Sequence, residues 1–214
     1  MSIDPVDLRR GAVAEAIRAQ RLIVVLRRVE PQSALLSLVA ELVDAGVRAF
    51  EITFDSPSAA ADLRALRDLL AGRVDGPFVT GAGTLLRGEQ VTAAREAGAQ
   101  FGVSPVLDLE MTRKAVESGF PFVPGAMTPT EMRTAWAAGA TFVKLFPASA
   151  VGPQFIRELR GPLPEIQVIP SGGVDGDNAI AFLEAGAVAV GLSSAIVRMT
   201  AGERRALVES VRRP

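Results

Sequence analysis

Short apolar runs rich in Val, Ile and Phe alternate with longer amphipathic segments, and those segments end repeatedly in a small residue followed by glycine. The endings are Asp44-Ala45-Gly46, Leu70-Ala71-Gly72, Glu96-Ala97-Gly98, Glu117-Ser118-Gly119, Ala137-Ala138-Gly139 and Glu184-Ala185-Gly186. Each is expected to cap a helix, because glycine takes the left-handed conformation cheaply. The period of about 20 to 26 residues suits one strand-plus-helix unit. Strands are predicted at Leu22 to Leu26, Ala49 to Phe54, Phe78 to Gly81, Phe101 to Ser104, Pro121 to Pro124, Thr141 to Leu145, Gln167 to Pro170 and Ala187 to Gly191. About eight such units predict a (β/α)₈ TIM barrel, an α/β fold, as a single domain over residues 1–214. An open doubly wound sheet is the competing layout, but no G-x-G-x-x-G follows the first strand.

Helix starts support the same reading: Pro31 opens the first, Ser58 the second, and Thr128-Pro129-Thr130-Glu131 puts proline at a first turn behind a capping threonine. An extra N-terminal helix, about 6–20, is expected to cover the barrel floor. Asp4 and Asp7, with no continuous apolar run before Gln20, argue against a secretory signal, and no stretch is long and apolar enough to span a bilayer. A cytoplasmic location is expected.

Composition then limits the chemistry. The chain has no His, no Cys and no Tyr, which excludes a Ser/His/Asp triad, a thiolate nucleophile, a disulfide framework and a Cys/His zinc site. Any metal would need an all-oxygen cage. A formal charge of -1 offers no basic field for nucleic acid. Only two lysines stand among twenty-one arginines, and arginine replaces lysine as a solubilising charge but not as a nucleophilic amine.

Of the two, Lys114 lies in an amphipathic helical pattern and reads as a solvated face residue. Lys144 instead sits in Thr141-Phe142-Val143-Lys144-Leu145-Phe146-Pro147, an apolar strand in which a permanent charge is expensive. Desolvation there favours a neutral amine able to form a Schiff base with a ketone; the competing reading is a structural lysine paired with a carboxylate. Glu51 is the second anomaly, sharing with Thr53 the face of its strand that points into a barrel. It is read either as a proton shuttle for Lys144 or as that lysine's structural partner.

Glycines cluster in Pro170-Ser171-Gly172-Gly173 and Gly191-Leu192-Ser193-Ser194, after the seventh and eighth strands. Barrels of this kind commonly hold a phosphate there, although plain turns also need glycine. Gly81-Ala82-Gly83-Thr84 reads as a tight turn or a ligand-facing loop, and Arg27 and Arg28 as carboxylate ligands or solvent-facing charges. Asp55-Ser56-Pro57 reads as an ordinary turn.

Taken in order and spacing, Glu51-Ile52-Thr53, Gly81-Ala82-Gly83-Thr84, Ser104-Pro105, Pro124-Gly125, Thr128-Pro129-Thr130-Glu131, Lys144-Leu145-Phe146-Pro147 and Ser171-Gly172-Gly173 resemble a known family. It is that of the 2-keto-3-deoxy-6-phosphogluconate and 2-keto-3-deoxy-6-phosphogalactonate aldolases, class I enzymes on a (β/α)₈ barrel. The resemblance implies that Lys144 forms an imine with the C2 ketone and Glu51 is the general acid/base. It further implies that Thr84 and Pro105 line the pyruvate half, that Phe146 packs beside the lysine, and that Gly172, Gly173 and Ser193 hold the phosphate, with Ser171 and Gly191 also among the substrate-binding residues. The implied reaction is retro-aldol cleavage of 2-keto-3-deoxy-6-phosphogluconate to pyruvate and glyceraldehyde 3-phosphate, by a homotrimer. The resemblance implies no metal and no cofactor. The C4 epimer, 2-keto-3-deoxy-6-phosphogalactonate, or a related keto-deoxy sugar acid, unphosphorylated forms included, is the alternative substrate, and a phosphometabolite-binding barrel without turnover is the non-enzyme alternative.

Two departures matter. Gluconate-type members commonly carry an arginine shortly after the glutamate, where this chain has Asp55, and Arg27 takes over the substrate contact, as in the galactonate branch. Leu192 interrupts the glycine pair usual in the phosphate loop.

Overall fold

The computed structural model describes residues 4–213, so residues 1–3 and 214 of the expected single domain lie outside the described residues. The strands are β1 (Leu22–Leu26), β2 (Ala49–Thr53), β3 (Val79–Gly83), β4 (Phe101–Val103), β5 (Phe122–Val123), β6 (Gly125–Ala126), β7 (Val143–Leu145), β8 (Val168–Pro170) and β9 (Val190–Leu192). The helices are α1 (Pro5–Arg10), α2 (Ala12–Gln20), α3 (Gln32–Asp44), α4 (Ala59–Arg73), α5 (Gly88–Glu96), α6 (Leu109–Glu117), α7 (Pro129–Ala137), α8 (Gly152–Leu159), α9 (Ala179–Glu184), α10 (Ser194–Arg198) and α11 (Ala201–Arg212). All eight predicted strand regions are present; the fifth is divided at Pro124 into β5 and β6. Proline supplies no N–H to a ladder, and the break falls on it.

Every strand pair is parallel, in a curled α/β arrangement of two sheets ordered β5-β4-β3-β2-β1-β9 and β6-β7-β8. Neighbours follow chain order, and β1 pairs with both β2 and β9, so the reversal of strand order that a doubly wound sheet requires is absent among the described residues. Hydrogen bonds also cross between the sheets. Thr141 N donates to Phe122 O at 2.9 Å, Val188 N to Val168 O at 3.0 Å, and a parallel bridge joins Ser171 to Gly191.

Alternation along the strands sorts side chains into two cores. Inward residues Ile23, Ala49, Val79, Phe101, Val103, Val123 and Ile169 pack with Phe142 and Ala189 in one cluster, which α2 joins through Ala14 and Ile17. Ile17, 1% exposed, closes the end of the curl where the strands begin, and its burial contributes about 1.5–3 kcal/mol. Outward residues such as Leu22, Val24, Phe50 and Ile52 pack against α3 and α4 through Leu35, Val39, Leu63 and Leu66.

Three local expectations need correction. The N-terminal helix expected over 6–20 is two helices, because Gly11 takes an extended backbone (φ -69°, ψ 164°) and caps α2; glycine costs about 1 kcal/mol in a helix interior and yields there. Gly72 does not end its helix: α4 runs on to Arg73, and the left-handed turn falls on Gly76 at φ 107°. The other five small-Gly endings do place a positive-φ glycine after the helix. Finally, Ala82 and Gly83, read as part of a tight turn or ligand-facing loop, extend β3 beyond its predicted end at Gly81. Among the described residues no helix is long and apolar enough to cross a membrane.

Candidate functional site

Glu51 and Lys144 both point into the curl, at 3% and 6% exposure. Their strands belong to different sheets: Glu51 pairs with Val25 and Gly81, Lys144 with Gly125 and Ile169. Together with Ser171 and Gly191 they line a small, partly open recess whose other walls are Ile23, Val103, Val123 and Ile169. At about 10 Å³ it admits roughly one water-sized group. An apolar recess of this kind strengthens charge interactions and penalises lone charges.

Room for the glutamate is made by the neighbouring strand. A Cβ on Gly83 would fall on the Glu51 carboxylate, and one on Gly81 would fall on the Phe101 ring. The Gly-Ala-Gly pattern of β3 is therefore a packing requirement at the inner face, whose side-chain period is two. Glu51 Oε1 is buried with no hydrogen-bond partner. Burial pushes the Glu51 carboxyl above its ordinary value, and the positive charges of Lys144 and Arg27 pull it back only in part. The contact ion pair that a purely structural role would call for is absent: among the described residues Lys144 makes no salt bridge within 4.0 Å. Its Nζ instead lies 5.0 Å from the centroid of the Phe146 ring, within the range of a cation–π contact.

Around the mouth, the loops after the strands carry the remaining predicted residues. Arg27, just past β1, donates from Nη1 to Asp55 Oδ2 at 2.9 Å and from Nη2 to Thr84 Oγ1 at 3.1 Å. Thr84 follows β3 with φ 58°, a left-handed backbone uncommon outside glycine. Pro105 follows β4 and packs on Gly125, where a Cβ would meet the Pro105 carbonyl.

Gly172 and Gly173 have φ of 81° and 83°. A side chain at Gly172 would run into Phe146 at 2.8 Å, and one at Gly173 into Ser149. Ser149 N donates to Gly172 O at 3.0 Å and Asn178 Nδ2 to Gly173 O at 2.9 Å, so the loop is fixed through its carbonyls. The amides of Gly172 and Gly173 donate to no acceptor among the described residues. Ser193 is half-buried between β9 and α10, whereas Leu192 belongs to β9 with its side chain wholly buried in the outer core. Leu192 thus does not intrude on the loop that the sequence assigned to it.

Asp55 was read only as a turn residue and a departure from the family pattern, and Gly83 only within the Gly81-Ala82-Gly83-Thr84 motif, while Ser149 and Asn178 were not singled out. Asp55 was legible as an acid placed right after a strand, and Gly83 as a gap in the inward-facing alternation. Ser149 left no signal because it meets Gly172 twenty-three residues away, whereas Asn178 lies only five residues past Gly173 and resembled an ordinary turn residue. Lys114 is the expected surface residue, with Nζ 2.6 Å from Glu110 Oε1. Among the described residues no group of three or more acidic side chains could hold a metal ion.

The family model described as KDPG and KHG aldolase matches residues 13–209. The 2-dehydro-3-deoxy-6-phosphogalactonate aldolase of Escherichia coli strain K12 is 39% identical over 178 residues, 83% of this chain and 84% of that protein. The 2-dehydro-3-deoxy-phosphogluconate aldolase of Haemophilus influenzae is 35% identical over 163 residues, 76% of this chain and 74% of its own length. A solved structure titled "Native KDPGal structure" superposes with a TM-score of 0.76 at 35% identity, covering 89% of this chain and 91% of that one.

Proposed function

The chain belongs to the KDPG and KHG aldolase family and is a lyase, and from that premise we propose that it cleaves a 2-keto-3-deoxy-6-phospho sugar acid through a Schiff base on Lys144. The observation that carries the assignment is the burial of Lys144 and Glu51 in one recess without a contact ion pair. The Lys144 amine adds to the C2 ketone, and the carbinolamine loses water to give a protonated imine. Glu51, held toward its neutral form by burial, hands a proton to the departing hydroxyl and becomes the base for the next step. It takes the C4 hydroxyl proton as the C3–C4 bond breaks. The bonding pair flows into the imine to form an enamine, and C4 leaves as the aldehyde carbon of glyceraldehyde 3-phosphate. Protonation of the enamine at C3 and addition of water to the resulting imine release pyruvate and restore the amine.

Arg27 and Thr84 serve the keto-acid end, and Pro105 and Phe146 wall the site beside the lysine. Gly172 and Gly173 offer backbone amides to the phosphate and Ser193 its hydroxyl, whereas Ser171 and Gly191 meet the substrate beside Lys144, in the space they line with it. Gluconate and galactonate forms of the substrate differ at C4. The galactonate reading is favoured by Arg27 at the end of β1 next to Asp55, and by the Escherichia coli relative. Parallel assays of pyruvate release from the two epimers test the assignment: cleavage is expected, with the higher kcat/KM for the galactonate form. Release from neither epimer would overturn it.

The two sheets are taken as one closed eight-stranded barrel in a single domain, with α2 as its floor, a reading supported by the hydrogen bonds between them and by their shared inner cluster. Assembly is assigned as a homotrimer working in the cytoplasm. Its support is apolar surface at three neighbouring strand ends, where Leu86, Val106 and Met127 are 49%, 50% and 38% exposed after β3, β4 and β6.

A further inference from the structure

Asp55 lies at the mouth of the site, in the turn after β2 and against Arg27, and an acid beside an anionic substrate calls for a reason. Its Oδ2 receives Arg27 Nη1 at 2.9 Å and lies 3.3 Å from Arg28 Nε, while its backbone carbonyl receives Arg28 Nη2 at 3.0 Å. Arg28 reaches back in this way from a left-handed backbone, φ 48°, which side chains other than glycine usually avoid. Two arginines thus converge on one carboxylate, and the pull differs between them. Arg28 is the more exposed, at 62% of its side chain, and fastens both the carboxylate and the carbonyl of the turn. Arg27 is 46% exposed and has a second anchor, Nη2 on Thr84 Oγ1 at 3.1 Å. A guanidinium has five N–H donors, so two anchors leave donors to spare. Arg27 is also near enough for its charge to act on Glu51.

We propose that Asp55 is a positioning residue for substrate recognition: it pins the Arg27 guanidinium between the ends of β1, β2 and β3, so that its remaining donors meet the carboxylate of the keto acid bound at Lys144. This rests on the function proposed above. The negative charge of Asp55 does repel the substrate, but the two arginines on the same carboxylate, Arg27 and Arg28, offset it. Ordering a long arginine before it binds is the larger effect, because less side-chain freedom is then lost on binding. Asp55 itself is well suited to the work. Burial alone would raise its carboxyl, yet the Thr53 hydroxyl and the two arginines outweigh burial and hold it below the ordinary value, so it stays charged at neutral pH.

The test is borohydride trapping of pyruvate on Lys144 at graded pyruvate concentrations, with KM and kcat for the phosphorylated substrate, in the unsubstituted protein, Asp55→Ala, Asp55→Asn, Arg27→Ala and the double variant Arg27→Ala/Asp55→Ala. Asp55→Ala is expected to raise half-saturating pyruvate and KM about five- to tenfold, with maximal trapping and kcat within about twofold. Asp55→Asn keeps an acceptor for Arg27 and is expected to recover most of the loss. Adding Asp55→Ala to Arg27→Ala is expected to cost nothing further, since the acid acts through the arginine. Unchanged or tighter pyruvate half-saturation in Asp55→Ala, or losses that add in the double variant, would overturn the positioning role alone. No adduct on Lys144 in the unsubstituted protein would overturn the proposed function, and this role with it.

Discussion

Glu51 meets two opposed demands, since the apolar interior that makes it a useful proton carrier also penalises its charge. Its carboxyl is raised above the ordinary 4.5 by burial, against the partial relief given by Lys144 and Arg27. Between the unfolded value and the raised native one, the folded chain binds more protons than the unfolded chain. Stability therefore falls as pH rises through that window, and the whole penalty is present above it. Glu51→Gln removes the charge and is expected to raise the thermal midpoint at neutral pH by about 2–4 °C, with the gain shrinking toward pH 4.5. The same change is expected to lower kcat by about 10²–10⁴-fold. Thermal scans across pH, run beside activity assays, check both. Glu51 and Lys144 were legible because each breaks an apolar run, a signal local to its own strand. The space that admits Glu51 is supplied by Gly83 on the next strand, and the anchor for Arg27 is supplied by Asp55 twenty-eight residues away. Neither partnership can be read from one segment alone, since each depends on register between strands.

Strand and helix positions followed from short-range signals wherever the terminating chemistry was strong. Thr128 and Glu131 form the expected reciprocal cap, Glu131 N donating to Thr128 Oγ1 at 3.3 Å and Thr128 N to Glu131 Oε2 at 2.9 Å. Pro31 likewise stands at the N-cap of α3. Where the signal was a lone glycine, context decided. Gly72 had a better left-handed partner four residues on in Gly76, and Gly11 is extended between two helices, at the N-cap of α2. Gly81 to Gly83 resembled a turn in composition, yet cross-strand packing against Phe101 and Glu51 made them strand. Ser58 does begin α4, but its hydroxyl donates to Asp62 Oδ2 at 2.7 Å rather than accepting from the helix backbone.

At the scale of the molecule, alternation and strand count pointed to a parallel sheet that curls on itself, and pairing of β1 with β9 brings the last strand beside the first. The division into two sheets at Pro124 was not expected, because a single proline does not reveal whether the ladder resumes beyond it. Lys144 reaches Glu51 only across that division, so the site depends on the whole curl. The apolar strand ends at Leu86, Val106 and Met127 predict a sedimentation mass three times the 22.5 kDa chain, and a smaller species for Val106→Glu. A monomer in the unsubstituted protein would remove the trimer from the account. The central claim is that Lys144 is the Schiff-base lysine, and the most direct measurement is borohydride reduction in the presence of pyruvate followed by peptide mass mapping. With two lysines in the chain, the readout has two sites. A reduced pyruvyl adduct is expected on Lys144, and none on it after Lys144→Ala; an adduct on Lys114 alone, or no adduct, rules out Lys144 as the Schiff-base lysine.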